Sequence, residues 1–340
     1  MNLKSGYKLE QIHRTVENPS LLLFRARRVD EELLVKMYRR GSLEDALRES
    51  LQNGYFRPLP FIPALVYEHV SPKRRAILAY KWIDGKTGYD IALSEDRNSP
   101  MIEEWTFQQL IDNVISLGNF ISSGDYLKLS EIGTRFSMES PIYRGFFTPA
   151  EESQFNKAYV VVTNGLEKAC KLFPGLYTDR NPSNWIVQED MRRVYLLDFG
   201  LVEATSPIFD LTKLLRTWTG EPPTKGDVQD PSDRIISHDI NIEREFLQYA
   251  YGQFIARSNH YWAGSFDEFA ICFIYAALNE HIFYLTKSEG LLREGRADKK
   301  VQDMRRGYHS RMLSLTYEQL KDHGEPVSDL GSWINRLVHI

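Results

Sequence analysis

The sequence predicts an α+β protein, with strands first and helices after them. Three observations carry this. Residues 7–40 alternate short apolar runs with turn residues, as strands do. From Trp105 onward, apolar residues mostly recur every three or four positions, as they do on helices. Residues 176–200 interrupt those helices with two short apolar runs around a polar segment, which reads as a β-hairpin. At 340 residues the chain is long enough for two lobes with substantial cores.

Composition narrows the function classes. Hydrophobic residues are 42 % and charged residues 26 %, ordinary for a globular protein. A net charge of -4 argues against non-specific nucleic-acid binding as the main activity. Cys170 and Cys272 stand far apart in apolar surroundings, so they read as buried thiols in a reducing, cytoplasmic setting. His238, His260, His281 and His309 lack metal-ligand spacing, and no zinc site is predicted. The N-terminus has no apolar run, so no signal peptide is expected. No stretch of 18 uncharged apolar residues predicts a membrane span.

The elements follow in order. Residues 7–16 and 21–28 form two strands around the turn Glu17-Asn18-Pro19-Ser20, and 32–38 a third. The third carries one lysine, Lys36, in an apolar run; by itself that is the mark of an edge strand. Ser42 can cap a helix over 43–53, stopped at Gly54, with Leu43, Ala46, Leu47 and Leu51 at helical spacing. Strands follow over 64–67 and 76–82. A helix is predicted over 105–121, a loop or short helix over 125–140, and a long helix from Pro149 or Ala150 to about Leu172, with Val160, Val161 and Val162 in the core. Residues 220–233 are a Pro-, Gly- and Asp-rich loop. Residues 242–285 read as two aromatic-rich helices, and 291–320 as a basic helix whose charges form a solvated face.

The chemistry concentrates in 176–200. Asp179 is followed by Asn184 and then by Asp198-Phe199-Gly200, with the hairpin strands between the last two. A hairpin folds back on itself, so Asn184 and Asp198 finish side by side, with Asp179 on the adjoining loop. Phosphoryl transfer to a hydroxyl needs such a set: an acid to accept the proton, Asp179, and hard oxygen ligands for Mg²⁺, Asn184 and Asp198. The run Asp179-Arg180-Asn181-Pro182-Ser183-Asn184 resembles the H-G-D-x-x-P-x-N loop of the aminoglycoside phosphotransferase and choline kinase family. The resemblance extends through Phe209-Asp210-Leu211. It departs at Tyr177 and Thr178, where that family usually has His and Gly.

The resemblance implies a two-lobed protein kinase-like fold, with a small β-rich N-lobe over 1–84 and a mostly helical C-lobe over 85–340. The catalytic segment would span 177–200 and the acceptor-binding helices 205–340. It implies that Lys36 reaches the ATP phosphates, and that a helix glutamate pairs with it. Counting back seven residues from Leu51, as that family's helix does, selects Glu44, with Glu49 the alternative. Tyr80, Lys81 and Trp82 would form the hinge whose main chain binds adenine, and Asp210 would brace the catalytic loop. The turn over 17–20 would lie on the phosphates, although it has no glycine.

The expected activity is therefore ATP- and Mg²⁺-dependent phosphorylation of a small hydroxylated substrate, such as an aminoglycoside, amino alcohol, sugar or nucleoside. Two alternatives stand beside it. A Ser/Thr protein kinase needs a longer platform after Asp198 than this chain offers, since Asp210 follows Gly200 by ten residues. A silent pseudokinase scaffold would explain Tyr177, Thr178 and the glycine-free turn. An excess of acidic residues over 203–245 could accept a cationic substrate, or could be a solvated loop.

Overall fold

The structure of the protein, a computed structural model, describes residues 6–14, 21–39, 42–71, 75–92, 104–120, 141–198, 203–219, 240–259, 262–295 and 299–339. The turn over 17–20, Phe199 and Gly200, and the segments predicted as loops over 125–140 and 220–233 lie outside these residues.

The first lobe is an antiparallel sheet with one helix on it. Strands β1 (Lys8–Arg14), β2 (Leu21–Arg28), β3 (Glu31–Arg39), β4 (Leu65–Ser71) and β5 (Arg75–Lys81) pair in the order β1-β2-β3-β5-β4. The lysine strand β3 is thus central, not an edge, and Lys36 is buried on it. Helix α1 spans Leu43–Phe56. It runs through Gly54, and Ser42 makes no side-chain cap hydrogen bond. Its apolar periodicity also misleads about its orientation. Leu47 and Leu51 are exposed, whereas Arg48, Glu49, Ser50, Gln52 and Asn53 are buried with Ala46 and Phe56. The helix turns a polar face toward the sheet because the charged group it must meet, Lys36, lies there.

Past β5 the chain joins the larger lobe. Strand β6 (Lys86–Thr87) pairs with β8 (Trp185–Gln188), which pairs in turn with β9 (Arg193–Leu196). The predicted hairpin is thus present, within one residue at each strand. The short helix α2 (Gly88–Ala92) lies against it. A Cβ on Gly88 would overlap the Trp185 ring and sit 2.7 Å from the Pro182 carbonyl oxygen, so the connection can pass the loop over 179–184 only at a glycine.

The helices of this lobe are α3 (Glu104–Phe120), α4 (Pro149–Leu172), α5 (Ile208–Thr219), α6 (Ile240–Arg257), α7 (Phe266–Arg293), α8 (Lys299–Asp322) and α9 (Gly331–Val338). The α4 start is sharp because Thr148 and Glu151 form a capping box with Pro149 in the first turn. Val162 is buried as predicted, but Val160 is exposed. A two-stranded sheet joins β7 (Gly175–Tyr177) to β10 (Glu203–Thr205), a pairing the sequence did not reveal.

One apolar core runs from Phe56 to Leu337, and smaller clusters lie on the two faces of the first sheet. Helix α7 is long and apolar enough to cross a membrane by length and composition, and 78 % of its most apolar stretch is buried in this core. Cys272 is buried and Cys170 only partly so; burial pushes both thiols up to about 12. On α8, Arg305 is buried, not part of a solvated face.

Candidate active site

The β3 lysine and the α1 helix build one wall. Lys36 Nζ lies 2.7 Å from Glu49 Oε1 and 3.6 Å from Asp198 Oδ1. Glu44, selected by counting back from Leu51, is not the partner: its side chain is 81 % exposed and pairs with Arg48 at 3.1 Å. The count started from an apolar residue on the outer face and so ended on that face. The Tyr80 hydroxyl donates to Glu49 Oε1 at 2.7 Å, and the Tyr38 hydroxyl to Glu49 Oε2. Burial, reinforced by the Glu49 charge, pushes both phenols far above their usual range. Burial works against the Lys36 charge, but Asp198 and Glu49 outweigh it and raise the ammonium above its ordinary value.

Beside this wall opens a cleft of about 460 Å³, continuous with solvent. Leu34, Pro63, Ile83, Ile186 and Leu196 supply apolar walls; Lys36, Glu49, Asn53 and Asp198 supply polar groups. The expected hinge residues Tyr80, Lys81 and Trp82 all line it. The backbone N–H of Lys81 donates to Ala64 O at 2.9 Å, and that of Trp82 to Glu32 O at 3.0 Å. The hinge main chain is therefore braced from both sides before Ile83 enters the cleft.

The segment over 177–198 is held in an uncommon backbone conformation. Asp179 has φ 54° and Asp198 φ 53°; the one other described non-glycine residue with positive φ is Arg192, in the hairpin turn. Left-handed backbone at residues other than glycine persists where surrounding bonds over-determine it. Those bonds are present. Asp210, at the start of α5, accepts from Thr178 N at 2.8 Å, Thr178 Oγ1 at 2.7 Å and Arg180 N at 2.9 Å. Burial raises its carboxyl, against the pull of Arg180, Thr178 and Lys213. Arg180 is itself buried and donates to the carbonyls of Thr178, Asn184 and Leu197, the last at 3.0 Å. It ties the loop to both ends of the hairpin.

The two departures from the family loop acquire physical roles. Thr178 adds a hydroxyl donor to Asp210 that glycine lacks. The Tyr177 hydroxyl donates to Asp179 Oδ1 at 3.2 Å, and Lys213 of α5 donates to both Tyr177 Oη and Asp179 Oδ1. Lys213, Arg180 and the α7 residue Glu280 were not singled out from the sequence. Lys213 had one available signal: it lies three residues after Asp210, on the same side of α5.

Asn184 and Asp198 fit a hard divalent cation. The Asn184 amide nitrogen donates to Asp179 O at 2.7 Å, which commits the nitrogen; the amide oxygen accepts from Ser183 Oγ at 3.1 Å and keeps a lone pair that could meet a cation. The Leu197 N–H donates to Asn184 O at 2.7 Å, drawing Asn184 toward Asp198, whose carboxylate is 45 % exposed. Helix α7 reaches the same loop: the Tyr284 hydroxyl donates to Asn181 Oδ1 at 3.3 Å, and Asn181 Nδ2 to Asp179 Oδ1 at 2.6 Å. Residues 220–239 of the acidic stretch lie outside the described residues.

No protein-family model matches the sequence, and no curated protein matches it. Solved structures do match in shape. The choline kinase of Streptococcus pneumoniae is similar over 92 % of this chain and 95 % of its own, with 12 % identity and a TM-score of 0.54. The ethanolamine kinase of Plasmodium vivax is similar over 93 % and 83 %, with 15 % identity and a TM-score of 0.56. A candidate aminoglycoside phosphotransferase from Ralstonia eutropha is similar over 94 % of both chains, with 13 % identity and a TM-score of 0.56. The chain has the two-lobed, protein kinase-like fold of these proteins.

Proposed function

We propose that the chain is an ATP- and Mg²⁺-dependent phosphotransferase that moves the γ-phosphoryl group to a hydroxyl of a small molecule. The observation that carries this reading is the meeting of Lys36, Glu49 and Asp198 at one cleft, with Asp179 on a loop that Arg180 ties to the cleft residue Leu197. Proteins of this fold act on choline and ethanolamine, which supports a small acceptor. The adenine ring would lie between Leu34 and the hairpin residues Ile186 and Leu196, against the main chain around Ile83. Lys36, kept charged and in place by Glu49, would meet the phosphates. Asn184 and Asp198 would hold Mg²⁺, which neutralises phosphate charge. Asp179 would accept the hydroxyl proton, with Asp210 and Arg180 keeping its loop in place.

The test is phosphorus NMR on ATP mixed with a panel of amino alcohols, aminoglycosides, sugars and nucleosides. A new phosphate monoester that appears with Mg²⁺ and vanishes with EDTA is expected. Turnover and nucleotide affinity indifferent to both would show that Asn184 and Asp198 are not a metal pair.

A further inference from the structure

We propose that Lys213 is a positioning residue for phosphoryl transfer: with Tyr177 it locks the Asp179 carboxylate in the one orientation that receives the acceptor hydroxyl. This rests on the phosphotransferase reading above. Three donors converge on one oxygen, Asp179 Oδ1: Lys213 Nζ, the Tyr177 hydroxyl at 3.2 Å and Asn181 Nδ2 at 2.6 Å. A carboxylate held so cannot rotate about its Cβ–Cγ bond without breaking all three. Lys213 also donates to Tyr177 Oη, so the phenol accepts a hydrogen bond from the ammonium while donating its own to Asp179. The three groups close a ring.

On its other side Lys213 faces Glu280 of α7 at 3.6 Å. An ammonium has three protons, and these three partners account for three directions. The site is buried, and a buried ammonium is retained only where anions meet it. Burial opposes its charge, yet Asp179, Tyr177, Tyr284 and Glu280 outweigh burial and raise it well above the ordinary lysine value. Neighbouring positions of α5, Leu211, Leu214 and Leu215, are buried and apolar. A lysine in that setting, aimed at the proposed proton acceptor, is not packing material. Strong donors weaken a base, but transfer through a loose transition state depends more on alignment than on base strength. Orientation therefore gains more than basicity loses.

The test is a double-mutant cycle read as kcat and KM. Lys213→Met should lower kcat about 10²-fold, the cost of a misplaced reacting group, with KM for ATP changed by no more than about twofold. Lys213→Arg, which keeps the charge, should recover part of the loss. In an Asp179→Asn background, Lys213→Met should add no more than about a twofold further drop, because its effect passes through Asp179. If Lys213→Met leaves Glu280 as a buried charge and does not fold, Lys213→Met with Glu280→Gln carries the measurement. Tyr177→Phe supplies an independent arm, with a smaller drop in kcat and unaltered KM for ATP. An equal fall of kcat in both backgrounds, or a lower melting temperature with unchanged kcat, would overturn the inference and leave the phosphotransferase reading standing. A wild-type chain that transfers phosphate neither to any acceptor nor to water would remove both.

Discussion

Lys36 and Lys213 are both buried, and both keep their charge because carboxylates surround them. They differ in what surrounds them. Lys36 has one close partner from its own lobe, Glu49 at 2.7 Å, and a longer contact to Asp198 across the cleft at 3.6 Å. Lys213 has all its partners in one lobe, on β7, the loop after it and α7. A lysine that must meet a nucleotide needs one firm contact and one it can exchange for phosphate. A lysine that must keep a proton acceptor still needs no exchangeable contact. On the proposed reading, the same residue type would serve a moving partner in one place and a fixed one in the other.

The largest expected effect separates the acids these lysines hold. Asp179→Asn keeps the size of the side chain but cannot accept a proton. Turnover should fall by about 10²–10⁴-fold, while Mg·ATP affinity stays close to wild type. Asp198→Asn should weaken Mg·ATP binding and turnover together, because it removes charge from the proposed metal site and from Lys36. Calorimetry beside turnover checks both. Wild-type turnover in the first variant, or unaltered Mg·ATP affinity in the second, would reverse the assignment of moving and fixed partners.

A smaller effect tests which glutamate anchors the cleft lysine. Glu49→Gln leaves the buried Lys36 with Asp198 alone. Stability should fall by about 3 kcal/mol, toward the low end for breaking a buried ion pair because one carboxylate remains. ATP affinity should fall with it. Glu44→Gln lies on the exposed side of α1 and should change stability by less than about 0.5 kcal/mol. Urea unfolding of both variants decides the matter, and equal losses would return Glu44 to consideration.

That contrast also marks where the sequence was legible. The hairpin and the placement of Asn184 and Asp198 follow from motif order and strand periodicity, which are local; the brace from Asp210 was implied by the family resemblance alone. The α4 start was placed at Pro149 or Ala150 from the sequence, and the capping box of Thr148 and Glu151 that fixes it there went unread. The facing of α1 was not legible, because apolar periodicity assumes an apolar core behind the helix, and this helix faces a charged site instead. Lys213 and Glu280 were hidden for another reason. They lie 34 and 101 residues after Asp179, and nothing local announces that α5 and α7 deliver them to it. The β7–β10 pairing was missed because each strand is three residues long, too short for a period to show.

The smallest expected effect supplies an exposed counterpart to the two buried lysines. Glu151 carries its charge at the surface, where it accepts from Thr148 N at 2.9 Å and Thr148 Oγ1 at 2.7 Å and pairs with Arg336 of α9 at 2.6 Å. The Thr148 backbone bond, then its hydroxyl, then Arg336 pull the carboxyl down to about 2 from its ordinary value of about 4.5. A carboxyl lowered in the folded state binds its proton less readily there than in the unfolded chain. Its contribution is therefore present in full above about pH 4.5 and is lost as pH falls toward about 2. Glu151→Gln should lower the melting temperature slightly at pH 7, and the gap to wild type should narrow steadily as pH falls from about 4.5. Solvent screening keeps the effect small, unlike that at Glu49. A gap that stays constant down to pH 2.5 would show that the α4 start is held by hydrogen-bond geometry alone and owes nothing to the carboxylate charge.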